Sequence, residues 1–448
     1  MTFDDLNLNN PLRMALADMG ISEPTAIQRK VFSPIMEGRD VVGIAQTGTG
    51  KTYAYLLPVL RLWKFTKSPY PQIMIVVPTR ELVAQVVDEI EKLATYMDVI
   101  AVGVYGGTNM KTQSVKVTAG LDIVVGTPGR LVDLMLTGAL QAKKIKKLII
   151  DEVDEMLNLG FRTQLKNIID FLPEKRQNLM FSATMTEEVE KVINRFTDYY
   201  KKLETAPSGA PLENIEQYAY EVPNFNSKAN LLELLLNIDA EIKKLLVFVS
   251  TKKMADALYE RMAPIFEEKV GVIHSSKSQN NRFATVDKFQ DGTYRFIIAT
   301  DIIARGLDVS SVTHIINFDL TDTAEKYIHR IGRTGRAEKK GIAISFVSEK
   351  EKEYKKKIEE LMSLEIPLRP TPDGLLLSDE LIALEKHVDI IPFNNHKMRM
   401  HQPSGPAFHD KKAKNKKVNN KLTRKEKMKL KYKKPQTRGQ KKKRSRRK

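Results

Sequence analysis

Short runs of β-branched and aliphatic residues alternate along most of the chain with helix-length amphipathic stretches, and few folds accommodate that rhythm. Residues 41–45, 73–77, 100–104, 122–125, 148–150 and 179–182 are each almost continuously apolar. Strands that are apolar on both faces belong to parallel sheets covered by helices on either side. Stretches such as 81–97 and 129–136 carry the helical period between them. The alternation predicts an α/β fold built on parallel sheets.

The rhythm breaks at residues 205–214 (TAPSGAPLEN), whose Pro, Gly and Ser content reads as a linker. It resumes with apolar runs at 245–249, 270–273, 296–299, 314–317 and 342–346. The expected organisation is a first α/β domain over 1–204, a linker over 205–214 and a second α/β domain over 215–368. A Pro-rich exit at 367–373 leads into a C-terminal extension over 369–410, in which 374–395 is expected to form one more helix packed on the second domain. Apolar periodicity ends near residue 396.

Charge divides the chain more sharply still. Residues 411–448 hold 21 Lys/Arg and one acid, Glu426, a net of +20, while residues 1–410 hold 52 basic and 54 acidic residues, a net of −2. The formal net charge of +18 is therefore a property of the tail. A segment of this composition cannot bury enough surface to offset its ordering entropy, so it is expected to be disordered when free. It calls for a polyanion, nucleic acid first and an acidic membrane surface second. A merely solubilising run is the plain alternative. Its one aromatic, Tyr432, means that it offers charge rather than base stacking, and salt-sensitive binding is expected.

The chain has no cysteine, which excludes disulfides, thiolate-ligated zinc and thiol catalysis and fits a cytoplasmic protein. Its first twenty residues include acids and no apolar core, unlike a signal peptide. No apolar run approaches the ~20 residues that span a bilayer.

The run Ala45-Gln46-Thr47-Gly48-Thr49-Gly50-Lys51-Thr52 follows a strand and opens a helix. It matches a phosphate-binding loop, except that Ala45 stands where Gly is usual. Small residues let backbone N–H groups approach phosphate oxygens at a helix N-terminus. Lys51 is placed to reach the β- and γ-phosphates and Thr52 to offer its hydroxyl to Mg2+. The alternative is a Gly-rich turn with a chance lysine. A second element narrows the choice. Asp151, Glu152 and Asp154 close an apolar strand, and acids at the carboxyl end of a buried parallel strand sit beside the ligand crevice. Asp151 is placed to hold Mg2+, largely through water, and Glu152 to orient and deprotonate an attacking water. A solvated acidic turn is the plain alternative.

With these elements in view, residues 3–350 resemble the DEAD-box ATP-dependent RNA helicases, and the compact length with a basic tail resembles the bacterial members. The resemblance rests on many ordered motifs. It implies two tandem RecA-like parallel-sheet domains joined by a short linker, with a disordered basic C-terminal tail. It implies ATP and Mg2+ as cofactors, RNA as partner, and RNA-stimulated ATP hydrolysis in a monomeric core. Gly20-Ile-Ser-Glu-Pro24-Thr25-Ala-Ile-Gln28, with Phe3 upstream, is similar to the Q motif, in which the glutamine amide reads the adenine edge and the aromatic packs nearby. An amide donates and accepts at once, which suits adenine N6 and N7. Residues 151–154 read DEVD where the family reads DEAD. The three acids are intact, so activity is expected to survive, while the packing around Val153 stays open. Ser182-Ala183-Thr184 resembles the motif that couples hydrolysis to strand separation, with Ser182 and Thr184 in reach of Asp154. A helix cap at Thr184 is compatible with that role.

By the same resemblance, three strand-following segments are RNA-contacting: Pro78-Thr79-Arg80-Glu81-Leu82, Tyr105-Gly106-Gly107 and Thr127-Pro128-Gly129-Arg130. Hydroxyls, backbone N–H groups and one or two arginines suit sugar–phosphate binding without base readout. For Thr79 and Thr127, helix capping and direct contact both stand. In the second half, Leu245–Ser250 and Gln279–Arg282 match further segments, with Ser275 after His274 where Gly is usual. In the run from Ala299 to Asp308, the resemblance places Thr300 and Gly306 on RNA and Asp308 on the nucleotide ribose. Tyr327-Ile-His329-Arg330-Ile-Gly332-Arg333-Thr-Gly335-Arg336 resembles the segment whose two arginines, here Arg333 and Arg336, reach ATP from the second domain. Their planar forks match phosphate oxygens. His329 is either a structural histidine or one coupled to Asp154 or Ser182. A DNA-directed translocase and a nucleic-acid clamp without hydrolysis are the rival functions. Ribosome assembly or RNA decay, through ribosomal precursors or other ribonucleoproteins bound by the tail, is the expected setting.

Overall fold

Valine and isoleucine dominate the strands of the protein, and their placement explains its architecture. The computed structural model describes residues 2–46, 48–197, 199–205, 214–301, 312–335 and 340–386. The first domain is a parallel sheet of β1 (Val41–Ile44), β2 (Ile73–Val76), β3 (Ala101–Val104), β4 (Ile123–Gly126), β5 (Lys147–Ile150), β6 (Gln177–Ser182) and β7 (Lys201–Glu204). Their spatial order is β3-β4-β2-β5-β6-β1-β7. Alternate residues feed two separate cores. Val41, Ile73 and Ile75 pack on one face, and Val42, Ile44, Met74 and Val76 on the other. Burial on both faces is why the sequence shows unbroken apolar runs here.

The second domain repeats the plan with β8 (Ile215–Glu221), β9 (Leu245–Val249), β10 (Val270–Ile273), β11 (Phe296–Thr300), β12 (His314–Asn317) and β13 (Gly341–Val347). These strands are ordered β10-β11-β9-β12-β13-β8, again parallel. This pair of parallel-sheet domains is the RecA-like architecture. Both domains fall within one compact unit.

The order of the first sheet sorts its loops. β5, β6 and β1 are neighbours, so residues 45–46 and 48–52, 151–154 and 182–184 emerge side by side at their carboxyl ends. β3, β4 and β2 are the other contiguous set, and they present residues 105–107, 127–130 and 78–80. Ligand crevices in parallel sheets lie outside these carboxyl ends.

Two strands and one segment depart from the sequence expectation. β7 (KKLE) and β8 (IEQYAYE) carry charged or polar residues and gave no apolar run. Both end the order of their sheets; β7 is largely exposed, whereas β8 is mostly buried but builds that buried surface from tyrosines and Gln217 rather than from an unbroken aliphatic run. The helix expected over 374–395 does not form in its described part, 374–386, which runs instead as an irregular strap. Side chains of the helix Phe225–Ile238 and its cap take the backbone bonds a helix would have made internally. Asn230 Nδ2 donates to Leu376 O at 2.7 Å and Asn226 Nδ2 to Glu380 O at 2.7 Å, and Asn224 Nδ2 donates to Ser378 O. Upstream, Ala219 N donates to Pro367 O and Arg369 N to Ala219 O, both at 2.9 Å, so the Pro-rich exit lies along β8. Residues 387–395 and the basic tail 411–448 lie outside the described residues. Among the described residues no helix is long and apolar enough to cross a membrane.

Gly43 in β1 faces Phe181 in β6, and a Cβ there would lie 2.6 Å from the ring. Gly43→Ala overpacks this core and is expected to destabilise the protein by about 1–3 kcal/mol. A lowered midpoint in urea unfolding checks it, and an unchanged midpoint contradicts the packing described.

Candidate nucleotide and nucleic-acid site

The loop after β1 is set by two left-handed glycines. Gly48 and Gly50 have φ of 82° and 85°, and a Cβ on Gly50 would lie 2.5 Å from Gln28 Nε2. Glycine alone fits that close approach without strain. Gln28 braces the loop: its Nε2 donates to Gly50 O at 3.1 Å while its Oε1 accepts from Thr25 N at 2.9 Å. One N–H and one lone pair of the amide are left for a ligand. Thr49 Oγ1 donates to Gln46 O at 2.7 Å, and Ala45 is buried with its N–H bonded to Ser182 O at 3.1 Å. Thr47 lies outside the described residues.

Lys51 opens the helix Lys51–Leu62. Its ammonium is buried and has no hydrogen-bond partner, an arrangement that costs several kcal/mol unless an anion completes it. It lines a cavity of about 260 Å³ together with Gln28, Thr52, Asp151, Glu152 and Arg333. A nucleotide phosphate meets what this cavity lacks, so the residues fit a nucleotide.

Asp151 and Glu152 follow β5. Burial pushes the Asp151 carboxyl up to about 6, against the pull of Lys51 and with the push of Glu152. Its Oδ1 accepts from Glu152 N at 2.9 Å. Glu152 holds φ 54° and ψ 54°, a left-handed conformation that a non-glycine residue adopts at a cost of about 1–3 kcal/mol. The strained turn keeps the Glu152 side chain on the cavity wall. Val153 is fully buried in the core cluster that includes Ile150, Met156 and Val189, so the extra methyl groups of DEVD are absorbed by packing.

Asp154 Oδ2 accepts from Ala183 N at 3.2 Å, Thr184 N at 3.0 Å and Thr184 Oγ1 at 3.0 Å, and Asp154 N donates to Ser182 Oγ at 3.4 Å. His329 Nε2 of the second domain stands 3.5 Å from the same oxygen. Burial alone would push this carboxyl up, but His329, Lys51 and Thr184 together hold it well below the usual carboxylate range. Thr184 does not cap the following helix; Thr186 does, accepting from Val189 N at 3.3 Å.

Of the two arginines expected near the phosphates, Arg333 reaches the cavity, and Arg336 lies outside the described residues, as do Gly306 and Asp308. A third, Arg330, carried no expectation. It is buried and bonds Asp301 with two nitrogens, one at 3.0 Å, while its third nitrogen donates to Asn317 Oδ1 at 3.2 Å and Asp319 O at 2.6 Å. It fixes the helix Ala324–Ile331 that carries His329 to the segment after β11. Glu81 stood in the run expected to contact RNA, but its link to the second domain was not foreseen. It is buried and receives Gln279 Nε2 at 3.1 Å and Arg282 at 3.2 Å from the second domain. The only local signal was an acid in the first turn of the helix Arg80–Leu93, where it complements the helix dipole.

The three other loops also meet. The Arg80 guanidinium lies against Gly107, where a Cβ would sit 2.1 Å from it, and beside Gly106. Thr79 caps its helix, accepting from Leu82 N at 3.3 Å, whereas Thr127 occupies a cap position without a side-chain bond. Pro128 opens that helix. Arg130 is buried, donating to Gln113 Oε1 at 2.7 Å and Thr108 O at 3.1 Å, so its charge holds the neighbouring loop in place. Thr300 ends β11 and is buried. Phe3 packs in the core with Leu6 and Leu12 and lines a separate depression with Gly20 and Ile21 rather than the cavity wall.

Because the Asp154 carboxyl is held below its ordinary value of about 3.9, the unfolded chain takes up the proton first as pH falls. Its stabilising contribution is complete above about pH 5 and declines below about pH 4. Asp154→Asn lacks that contribution. The gap in urea midpoint between wild type and Asp154→Asn should therefore be widest at neutral pH and shrink toward pH 2. A constant gap contradicts this account.

Comparison with known proteins agrees with this geometry. The DEAD/DEAH box helicase family matches residues 25–192, and the helicase conserved C-terminal domain matches residues 227–338. The DEAD-box ATP-dependent RNA helicase CshA of Geobacillus kaustophilus is 36% identical over 402 residues, covering 88% of this chain and 84% of that protein. Eukaryotic initiation factor 4A of Caenorhabditis elegans is 35% identical over 82% of this chain and 91% of that protein. Among solved structures, S. cerevisiae Dbp5 bound to RNA and ADP BeF3 has a TM-score of 0.76 at 29% identity, covering 83% of this chain and 96% of that one. Mss116p bound to ssRNA and AMP-PNP also has a TM-score of 0.76, at 26% identity, covering 83% and 80%. With both domains matched, the cavity formed by the phosphate loop and acidic turn, and relatives similar over most of the chain, the protein belongs to the DEAD-box family of ATP-dependent RNA helicases.

Proposed function

We propose that the protein uses ATP hydrolysis for local, non-processive unwinding of short RNA duplexes or for displacing protein from RNA. The observation that carries this reading is the convergence on one cavity of Lys51, Asp151 and Glu152 from the first domain and Arg333 from the second. In this reading the phosphate loop from Gln46 to Gly50 cradles the phosphates, Lys51 neutralises them, and Gln28 meets the adenine edge with its remaining N–H and lone pair. Thr52 and Asp151 offer the hard oxygen ligands that suit Mg2+, which supplies charge neutralisation when bound. Glu152 orients and deprotonates the attacking water. Arg333, with Arg336, stabilises the charge that develops on the transferred phosphoryl group, a contribution of roughly 10³–10⁵ in rate for such arginines.

RNA occupies the carboxyl ends of β2, β3 and β4, where Arg80 meets Gly106 and Gly107, and continues to Thr300 on the second domain. Arg80 serves as the direct cation there, while Arg130 acts by holding the loop it bonds. Asp154, Ser182, Thr184 and His329 couple the two sites. Binding of either ligand favours apposition of the domains, so each promotes the other. A strand held across both domains is bent away from its partner, and hydrolysis releases it. The domain limits follow as 1–204 and 215–368, with 205–214 as linker, 369–410 as extension and 411–448 as an electrostatic anchor on structured RNA. In this reading the enzyme acts in the cytoplasm, in ribosome assembly or RNA decay.

The test is steady-state ATP hydrolysis without nucleic acid, with single-stranded RNA and with single-stranded DNA of the same sequence. Strong stimulation by RNA alone is expected, with Glu152→Gln lowering kcat about 10²–10⁴-fold. Equal stimulation by DNA would replace this reading with a DNA translocase, and absence of hydrolysis with a clamp.

A further inference from the structure

The nucleotide cavity has a wall that none of the recognised motifs supplies. Tyr53 lies two residues beyond Lys51 on the same helix and is partly buried. Across from it, Leu82, Gln85 and Glu89 line the cavity from the helix Arg80–Leu93. Their spacing of three and four residues puts all three on one face of that helix. The Tyr53 hydroxyl donates to the Glu89 carboxylate and lies 3.5 Å from Met19 Sδ, so the ring is tied at its far end to a second helix.

The cavity lining is chemically mixed. Lys51, Arg333, Asp151 and Glu152 supply ionic groups that suit phosphate and metal. Gln28 and Tyr53 belong to the remainder, and Tyr53 is the single aromatic ring among the described lining residues. A nucleoside has a flat apolar face as well as polar edges, and an aromatic ring is the side chain that matches such a face. Gln28 can address an edge but offers no flat surface. Phe3, the aromatic that the family resemblance expects near adenine, packs in the core cluster with Leu6 and Leu12 and is not among the described residues lining the cavity.

We infer that Tyr53, held in orientation by Glu89, is a nucleotide-positioning residue whose ring packs against the nucleoside of bound ATP. This rests on the reading of the cavity as the nucleotide site. The ring acts in binding and not in the chemical step, so its loss should raise KM for ATP and leave kcat at saturating ATP and RNA nearly unchanged. The hydroxyl is engaged at the ring's edge, and the ring, which also packs against the core cluster of the first domain, lines the cavity.

The experiment is calorimetric titration of ADP with Mg2+ into the full chain, together with ATP kinetics at saturating single-stranded RNA. Wild type is compared with Tyr53→Ala, Tyr53→Leu, Tyr53→Phe and Lys51→Ala. Tyr53→Ala and Tyr53→Leu are expected to weaken ADP binding about tenfold, with a matching rise in KM. Tyr53→Phe, which keeps the ring but loses the tether to Glu89, should weaken binding measurably but by less than Tyr53→Ala and Tyr53→Leu. Tyr53→Leu fills most of the volume and guards against a folding defect of the alanine variant. ADP affinity unchanged in Tyr53→Ala and Tyr53→Leu, with Lys51→Ala impaired, would overturn the role of Tyr53 and leave the nucleotide site standing. Unchanged affinity in Lys51→Ala would instead overturn the nucleotide site, and the inference with it.

Discussion

One buried carboxylate lies where the two halves of this protein meet. Asp154 is buried, accepts two backbone N–H groups and one hydroxyl from the segment after β6, and meets His329 of the second domain through the same oxygen. A buried charge is tolerated only when its partners are in place. Apposition of the second domain supplies one of those partners, so the position of His329 and the ionisation of Asp154 are linked. Because Asp151 and Glu152 precede Asp154 on the same turn, any shift of that turn moves the groups on the cavity wall.

A second connection runs through the helix Arg80–Leu93. Its start carries Thr79 and Arg80 beside the glycines of the neighbouring loop, Glu81 takes bonds from Gln279 and Arg282 of the second domain, and Leu82, Gln85 and Glu89 face the nucleotide cavity. One helix therefore reaches the proposed RNA surface, the other domain and the proposed nucleotide cavity. Arg330 does the equivalent work in the second domain by tying the helix of His329 to Asp301. Coupling through packed helices and charge networks of this kind needs no large movement at either site, only two arrangements that both ligands bias.

What the sequence reveals follows from where each signal is stored. The central strands were legible because burial on both faces forces unbroken apolar runs. The terminal strands were not: β7 is largely exposed, and β8, though mostly buried, is built from tyrosines and polar residues rather than an aliphatic run. The strap over 374–386 looked helical, yet its backbone bonds are taken by asparagines more than 140 residues away, which no local period records. The phosphate loop and the acids 151–154 were legible because their chemistry depends on local spacing. The links made by Glu81 and Arg330 were not, since their partners lie 198 and 29 residues away. Arg130 carried the right chemistry for a phosphate contact, but its fork is occupied by Gln113 and Thr108. Val153, the visible departure in the acidic motif, proves to be ordinary core packing.

The central claim is that contacts between the domains, centred on Asp154 and His329, couple nucleotide to RNA. Fluorescence anisotropy of a labelled single-stranded RNA, with and without ADP and beryllium fluoride, measures that coupling directly. Wild type should bind RNA at least tenfold more tightly with the nucleotide present, a coupling within the usual range of about 1–3 kcal/mol. His329→Ala should lose most of that ratio. RNA affinity indifferent to nucleotide in wild type, or an undiminished ratio in His329→Ala, would contradict the account.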